Sequence, residues 1–274
     1  MPNPSPTWRL IDAGPLDGPA NMALDEALLS SFNPESSLPV LRLYGWEPPA
    51  LSLGRYQDAE SSLRLDLCSA EGVPLVRRMT GGGIIYHGDE VTYSIVCSPE
   101  QIGDATGVKE GFRKLCGFLL ETYRQLGLEA AFAIDRQPAG ERLGERTAFC
   151  FAGKEEYDVV VAGRKIGGNA QRRMRGVIFQ HGSIPLKSRV HLAARYLKEP
   201  ADAVTTAVSL DELGLQPEPA HLKQLLVNSF QQCLGVRLLR DGVSEGENGM
   251  AAQLVETKYR CHEWNISQTC ETKR

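Results

Sequence analysis

No stretch of this 274-residue chain is apolar for long enough to cross a membrane. A long basic run is missing too, and the formal net charge of -4 makes general nucleic-acid binding a poor expectation. The seven cysteines form an odd set without a CxxC pair, and the five histidines are scattered. No zinc-type spacing results, so no metal is expected, and mostly free, buried thiols in a reducing compartment are the default. The opening MPNPSPTWRL lacks the basic start and apolar run of a signal peptide, which points to the cytoplasm. Internal repeats and a strong linker are also missing. What remains, 42% hydrophobic residues over this length, suffices for one large domain or a large domain with a small companion.

The densest chemistry lies in RRMTGGGIIYH, Arg77 to His87. Gly81, Gly82 and Gly83 can take backbone angles closed to other residues and let a ligand approach the main chain. Arg77 and Arg78 can hold an anion. No lysine followed by Ser or Thr comes after these glycines, so the stretch is not a Walker loop. A tight hairpin turn is the plainer alternative. The loop suits an extended substrate carrying a phosphate or an activated carboxyl group.

Around it, Met22 to about Ser31 reads as a helix capped by Asn21, VLRLYGW from Val40 as a strand, and Leu51 to Gly54 as a short strand. Asp58 to Leu67 is a helix candidate. Pro74 to Arg78 and Glu90 to Val96 are extended, so the glycines fall between strands and do not open a helix. Val108 to Leu126 carries the clearest helical stripe, stopped by Gly127. Asp135 to Thr147 reads as loop. DVVVAGRKIGG predicts two strands around an Ala162-Gly163 turn, Val177 to Ile184 another strand, and 189–197 and 220–234 two helices. Strands joined by tight turns pair antiparallel. The pattern predicts an α+β fold with a mixed, largely antiparallel β-sheet flanked by helices.

Two reactive side chains follow the loop. Cys150 stands in AFCFAG, between aromatics, where a cysteine serves either as a small hydrophobe or as a nucleophile that parks an acyl group as a thioester. The nucleophilic role needs a positive neighbour to lower the thiol pKa. Lys165, just past the predicted turn, is the candidate, with a solvated hairpin lysine as the alternative. Gly167 and Gly168 after it permit close approach of a ligand. Asn169 and Gln171 add orienting amides, and His87 and His181 are candidate donors near glycines.

Taken together, NMALDEALL, LSLGRYQ, RRMTGGGIIYHGDEVTYS, VVVAGRKIGGNAQRR and VIFQHGSI, with the closing KYRCHEW, resemble the lipoate–protein ligase and octanoyltransferase family. The resemblance spans roughly residues 8–187. It implies the biotin/lipoate protein ligase fold and an apolar tunnel for a fatty-acyl or lipoyl chain. By position it assigns Arg77, Gly81, Gly82, Gly83 and His87 to the substrate site and the family's lysine to Lys165. Cys150 occupies the place of the catalytic cysteine in the cysteine-dependent octanoyltransferase subgroup.

That subgroup would take octanoyl from octanoyl-acyl carrier protein and pass it to a lysine of a lipoyl domain or glycine cleavage H protein, with no cofactor. The alternatives are an ATP- and magnesium-dependent lipoate–protein ligase acting through lipoyl-AMP, and a non-catalytic lipoyl-domain or acyl-chain binding module. A biotin ligase fits less well, since the GRGR-like adenylate loop is missing. The implied organisation is a flexible leader over 1–7 and one catalytic domain over 8–274, its last part from about 188 a candidate helical accessory region. A monomer is the family-based expectation.

Overall fold

The computed structural model describes residues 5–103, 105, 107–136, 155–199 and 207–268. Its main sheet has six strands. β1 (Thr7–Leu16) lies between β2 (Val40–Trp46) and the last strand, Arg237–Arg240, parallel to both. β2 continues antiparallel to Glu90–Cys97, which pairs antiparallel with Val177–Pro185, and that strand with Gly168–Met174. A three-stranded sheet joins Ala50–Leu53, Leu75–Arg77 and Ile85–His87. A four-stranded sheet joins Ala130–Phe132, Val159–Val161, Arg164–Ile166 and Ala207–Val208. Six of the ten strand pairings among the described residues are antiparallel, so the mixed, largely antiparallel α+β expectation holds.

Side chains alternate across a strand, so each strand of the main sheet serves two faces. On one face Trp8, Leu41, Tyr93 and Ile95 meet Leu115 and Phe118 of helix Val108–Gln125 and Leu222 and Phe230 of helix Pro219–Leu234. Phe118 stacks edge-on to both Tyr93 and Phe230, with ring centroids 5.2 Å apart in each pair. The opposite face belongs to helix α1 (Gly18–Ser31), whose Leu24 and Leu28 pack with Ile11, Val40, Val96 and Phe179. That same face presents Arg42, Tyr44, Thr92, Ser94, His181 and Ser183, the alternate residues of three strands. Polar chemistry is therefore concentrated under α1.

Several local expectations need correction. α1 starts at Gly18, four residues before Met22, because the Asp17 carboxylate accepts from the Ala20 amide at 2.7 Å and caps the helix. Asn21 lies inside the helix and donates to the Leu16 and Gly45 carbonyls. The helix expected over 58–67 is two short ones, Ala59–Ser62 and Leu65–Ala70, the first capped by Asp58. Ala162 and Gly163 both have positive φ, 50° and 76°, as a two-residue hairpin turn requires. Gly168–Met174 reads as polar amides in sequence, yet it forms an edge strand against Val177–Pro185.

Candidate active site

The glycine stretch does not stand alone. Continuing the parallel pairing beyond strand Ala50–Leu53, Arg78 donates its amide to the Leu53 carbonyl at 2.8 Å, and Arg55 to the Thr80 carbonyl at 2.7 Å. The loop lies so close to this segment that a Cβ on Gly54 would sit 2.0 Å from the Gly82 oxygen. Glycine at 54 is thus a packing requirement of the loop. Of the three loop glycines only Gly82 has positive φ, 98°. The Arg78 guanidinium closes the loop from inside, donating to the Gly81 and Gly83 carbonyls at 3.3 and 2.8 Å and to Ser52.

Between this loop and the main sheet lies one cleft. Arg78, Gly82, His87, Gly168, Asn169 and His181 all line it, along with Tyr44, Trp46, Ile85 and Thr92. Six of the residues expected at the site thus meet there although they are spread over more than a hundred positions of sequence. Gly81, Gly83 and Gly167 are not among the lining residues. Gly167 has a structural role: its φ is +82°, and a Cβ would come within 2.2 Å of the Ser183 oxygen.

Two buried polar systems support the walls. In the first, His87 stacks on Trp46 with centroids 3.8 Å apart. Its Nδ1 meets Glu90 Oε1 at 2.8 Å and its Nε2 meets Ser52 Oγ at 2.6 Å. Glu90 also accepts from the Thr92 and Ser183 hydroxyls. Burial would raise the Glu90 carboxyl, but the His87 charge and these hydrogen bonds outweigh it and hold the pKa below the usual value.

In the second, Asp25 of α1 accepts from Arg42 Nη1 at 2.6 Å, Ser94 Oγ at 2.7 Å and Tyr44 Oη at 2.9 Å. Its other neighbour is His181 Nδ1 at 3.7 Å, and His181 Nε2 contacts the Thr80 hydroxyl of the glycine loop at 2.7 Å. Burial opposes the Asp25 charge, yet Arg42 first, then His181 and Ser94, bring its pKa below the ordinary range. Burial lowers His181, more than offsetting Asp25. A neutral ring with its proton on Nδ1, facing Asp25, can accept the Thr80 hydroxyl proton on Nε2.

Lys165 is buried on strand Arg164–Ile166, and its Nζ lies 2.7 Å from Asp158 Oδ2. It is no solvated hairpin lysine. Asp158 lines a second opening with Val108, Phe112 and Tyr157, and Asn169 lines both that opening and the main cleft. The Lys165–Asp158 pair therefore sits beside the Asn169 end of the cleft. Cys150 lies outside the described residues.

Arg77 departs from its expected place. It is buried and does not line the cleft. Its guanidinium donates to the Gly54 and Gln57 carbonyls at 2.9 and 2.6 Å and to those of Trp264 and Asn265, both at 2.9 Å. Buried and with most of its N–H donors on main-chain carbonyls, this guanidinium braces the chain and does not face the cleft. Burial lowers it to about 10, still charged at neutral pH. Sequence reading also passed over Asp25, Arg42, Ser52, Glu90 and Asp158. The available signal was a charged or hydroxyl residue inside an otherwise apolar strand or helix, as in VLRLYGW and NMALDEALL.

Among the described residues no cluster of side chains could hold a metal ion, and no helix is long and apolar enough to cross a membrane.

The fold is that of lipoate–protein ligases. A lipoate-protein ligase A bound with ATP matches with a TM-score of 0.81, 24% identity, and coverage of 94% of this chain and 98% of that one. The bipartite lipoate protein ligase of Thermoplasma acidophilum, in work that includes its E2 lipoyl domain, matches with a TM-score of 0.79 and 24% identity over 97% of this chain and 98% of that one. The family described as the lipoyl protein ligase A/B catalytic domain matches residues 17–231, and the chain belongs to it. Within that family it is similar to proteins named octanoyltransferase LipM. The one from Moorella thermoacetica is 36% identical over 95% of this chain and 98% of its own length. The one from Bacillus subtilis is 35% identical over 96% and 99%.

Proposed function

We propose that this protein is an octanoyltransferase that moves octanoyl from octanoyl-acyl carrier protein to a lysine of a lipoyl domain or of the glycine cleavage H protein. The observation that carries this reading is its end-to-end similarity to the octanoyltransferases above, across the segments that line the cleft. The acyl chain lies in the cleft, against Trp46, Ile85 and the Gly82 main chain. Arg78, His87, Gly168, Asn169 and His181 shape and orient the site. Residues 8–274 act as one catalytic domain, in a cytoplasmic monomer.

The chemistry has two steps. The Cys150 thiolate adds to the carbonyl carbon of the donor thioester; the bond to the phosphopantetheine sulfur breaks, and that sulfur leaves and takes up a proton. The acceptor amine then attacks the Cys150 thioester. The carbon–sulfur bond breaks, the thiolate is regenerated, and the amine proton is lost as the amide forms. Lys165 stabilises the anionic oxygen of both tetrahedral intermediates, and Asp158 holds its ammonium in place. A thioester already carries the activation an amide bond needs, so the route consumes no nucleotide and no metal ion.

Intact mass after incubation with octanoyl-acyl carrier protein, without ATP or acceptor, tests this. An octanoyl adduct on the wild type but not on Cys150→Ser, discharged by an apo lipoyl domain, is the expected result. Acceptor modification that needs ATP, magnesium and free lipoate would replace the reading with ligase chemistry. Stoichiometric lipoyl-domain binding with no covalent product under either condition would leave a binding module.

A further inference from the structure

The chain's last described turns grip the strand that feeds the glycine loop. Asn265 Oδ1 accepts from the Arg77 amide at 2.8 Å, and Trp264 Nε1 donates to the Arg77 carbonyl at 2.9 Å. The Arg77 side chain returns the contact, donating to the Trp264 and Asn265 carbonyls. Its other nitrogen, Nη1, donates to the carbonyls of Gly54 and Gln57. That is the segment on which the glycine loop rests, through the Arg55 amide to the Thr80 carbonyl and the fit of Gly82 over Gly54. A continuous path of hydrogen bonds and contact therefore runs from Trp264 and Asn265 through Arg77 to Gly82, which lines the cleft.

The far end is anchored as well. Buried Lys258 pairs with Glu26 of α1 at 2.6 Å, and its Nζ lies 4.0 Å from the Trp264 ring centroid, a cation–π contact. The Asn265 side-chain Nδ2 donates to the Tyr259 carbonyl at 2.8 Å, which ties the two ends of the segment together.

We propose that Trp264 and Asn265 are positioning residues for the acyl substrate: through Arg77 they fix the glycine loop in the conformation that receives the chain. No atom of either residue lines the cleft, so the effect is indirect. Because a planar fork with several fixed donors is needed to reach carbonyls on two separate segments, a lysine at 77 cannot replace the arginine. A loop freed from this clamp spends part of its time outside the binding conformation, and apparent affinity falls by the competent fraction. The effect should appear in KM, with kcat retained. The link to octanoyl rests on the transferase reading; the clamp itself does not.

Two measurements on the full chain test it, each on the wild type, Asn265→Ala, Trp264→Phe and Arg260→Ala. Trp264→Phe removes the Nε1–H donor together with half of the buried indole, and keeps an aromatic face toward Lys258. Arg260 belongs to the same segment, is exposed, and pairs with Glu256 and Asp17, so Arg260→Ala is the control. In amide hydrogen exchange, residues 78–84 should exchange about tenfold faster in both clamp variants, with the six-stranded sheet unchanged. In octanoyl transfer, KM for octanoyl-acyl carrier protein should rise about fivefold with kcat within about twofold. Asn265→Asp retains the acceptor oxygen for the Arg77 amide but loses the donor to the Tyr259 carbonyl, so its protection should lie between those of Asn265→Ala and the wild type; Trp264→Phe covers the case that Asn265→Ala folds poorly. Unchanged loop exchange and unchanged KM in both variants would overturn the proposal. So would acceleration spread evenly over the main sheet, the mark of simple destabilisation. A wild type that transfers no octanoyl would refute the functional reading, while the exchange data would still decide the clamp.

Discussion

Replacing Asp25 by alanine should be among the most damaging single changes in the chain, chiefly because of what it leaves behind. The Arg42 side chain is fully buried, and among the described residues Asp25 is its only charged partner within 4 Å. After the change Arg42 keeps the Asn21 carbonyl and side-chain oxygens, at 3.1 and 2.6 Å, but no countercharge. Breaking a buried pair by removing one partner costs about 3–5 kcal/mol. Tyr44 and Ser94 lose their acceptor in the same step, and each buried group left unpaired adds about 1–3 kcal/mol before relaxation or water entry. Against a total stability on the order of 5–15 kcal/mol, the variant should survive only marginally. Its melting temperature should fall by on the order of 10 °C or more. The assay is thermal unfolding of Asp25→Ala, Arg42→Met and the double variant. If the cost is that of an orphaned charge, the double variant will be more stable than the sum of the single losses predicts, by about 1–3 kcal/mol. Strict additivity, or a melting temperature within a degree or two of wild type for Asp25→Ala, would refute the reasoning.

Lys165→Ala should lower octanoyl transfer by about a hundredfold or more, the usual loss when one stabilising donor to an oxyanion is removed; single-turnover transfer from octanoyl-acyl carrier protein measures it, and a full rate would remove Lys165 from the mechanism. Stability should fall on acidification in an ordered way. His181 has a folded pKa below its ordinary 6.5, so the unfolded chain binds the extra proton first and stability starts to drop below about pH 6.5. Glu90 and Asp25 are also depressed, from 4.5 and 3.8, so their stabilisation is present above those values and is lost as pH falls through their folded pKa values. Melting temperature against pH checks this, with His181→Gln expected to remove the upper step; a profile flat from pH 7 to 5 in the wild type would contradict it.

The sequence made the main elements legible where periodicity is strong. The stripe from Val108, the strand from Val40 and the Ala162-Gly163 hairpin all appear within a residue or two of expectation. Order of motifs was enough to bring His87 and His181 to one cleft. What stayed hidden depended on tertiary partners. Arg77 and Arg78 are neighbours with the same side chain, yet opposite strand faces send one to the C-terminal segment and the other into the glycine loop. Nothing local separates a guanidinium that lines the cleft from one buried away from it. Gly54 likewise looks like a turn glycine until the Gly82 oxygen is found against it. Strand Arg237–Arg240, half charged, reads as surface because its partner β1 is more than two hundred residues away.

The acidic pair in NMALDEALL gains a physical reason from the same geometry. Successive residues on a helix point about 100° apart. Asp25 therefore turns to the sheet, where Arg42, Tyr44 and Ser94 hold it beside His181, and Glu26 turns to the C-terminal segment, where it receives Lys258 and Tyr259. From Asp25 the contacts run through His181 to Thr80 in the loop; from Glu26 they run through Lys258 and Trp264 to Arg77 just before it. One helix turn thus supports the entry to the glycine loop by two routes, at Thr80 and at Arg77. Changing the two acids one at a time should then disturb the loop differently: Glu26→Gln should raise exchange at residues 78–84 while sparing the Arg42 network, because its partners lie on the other side of the helix.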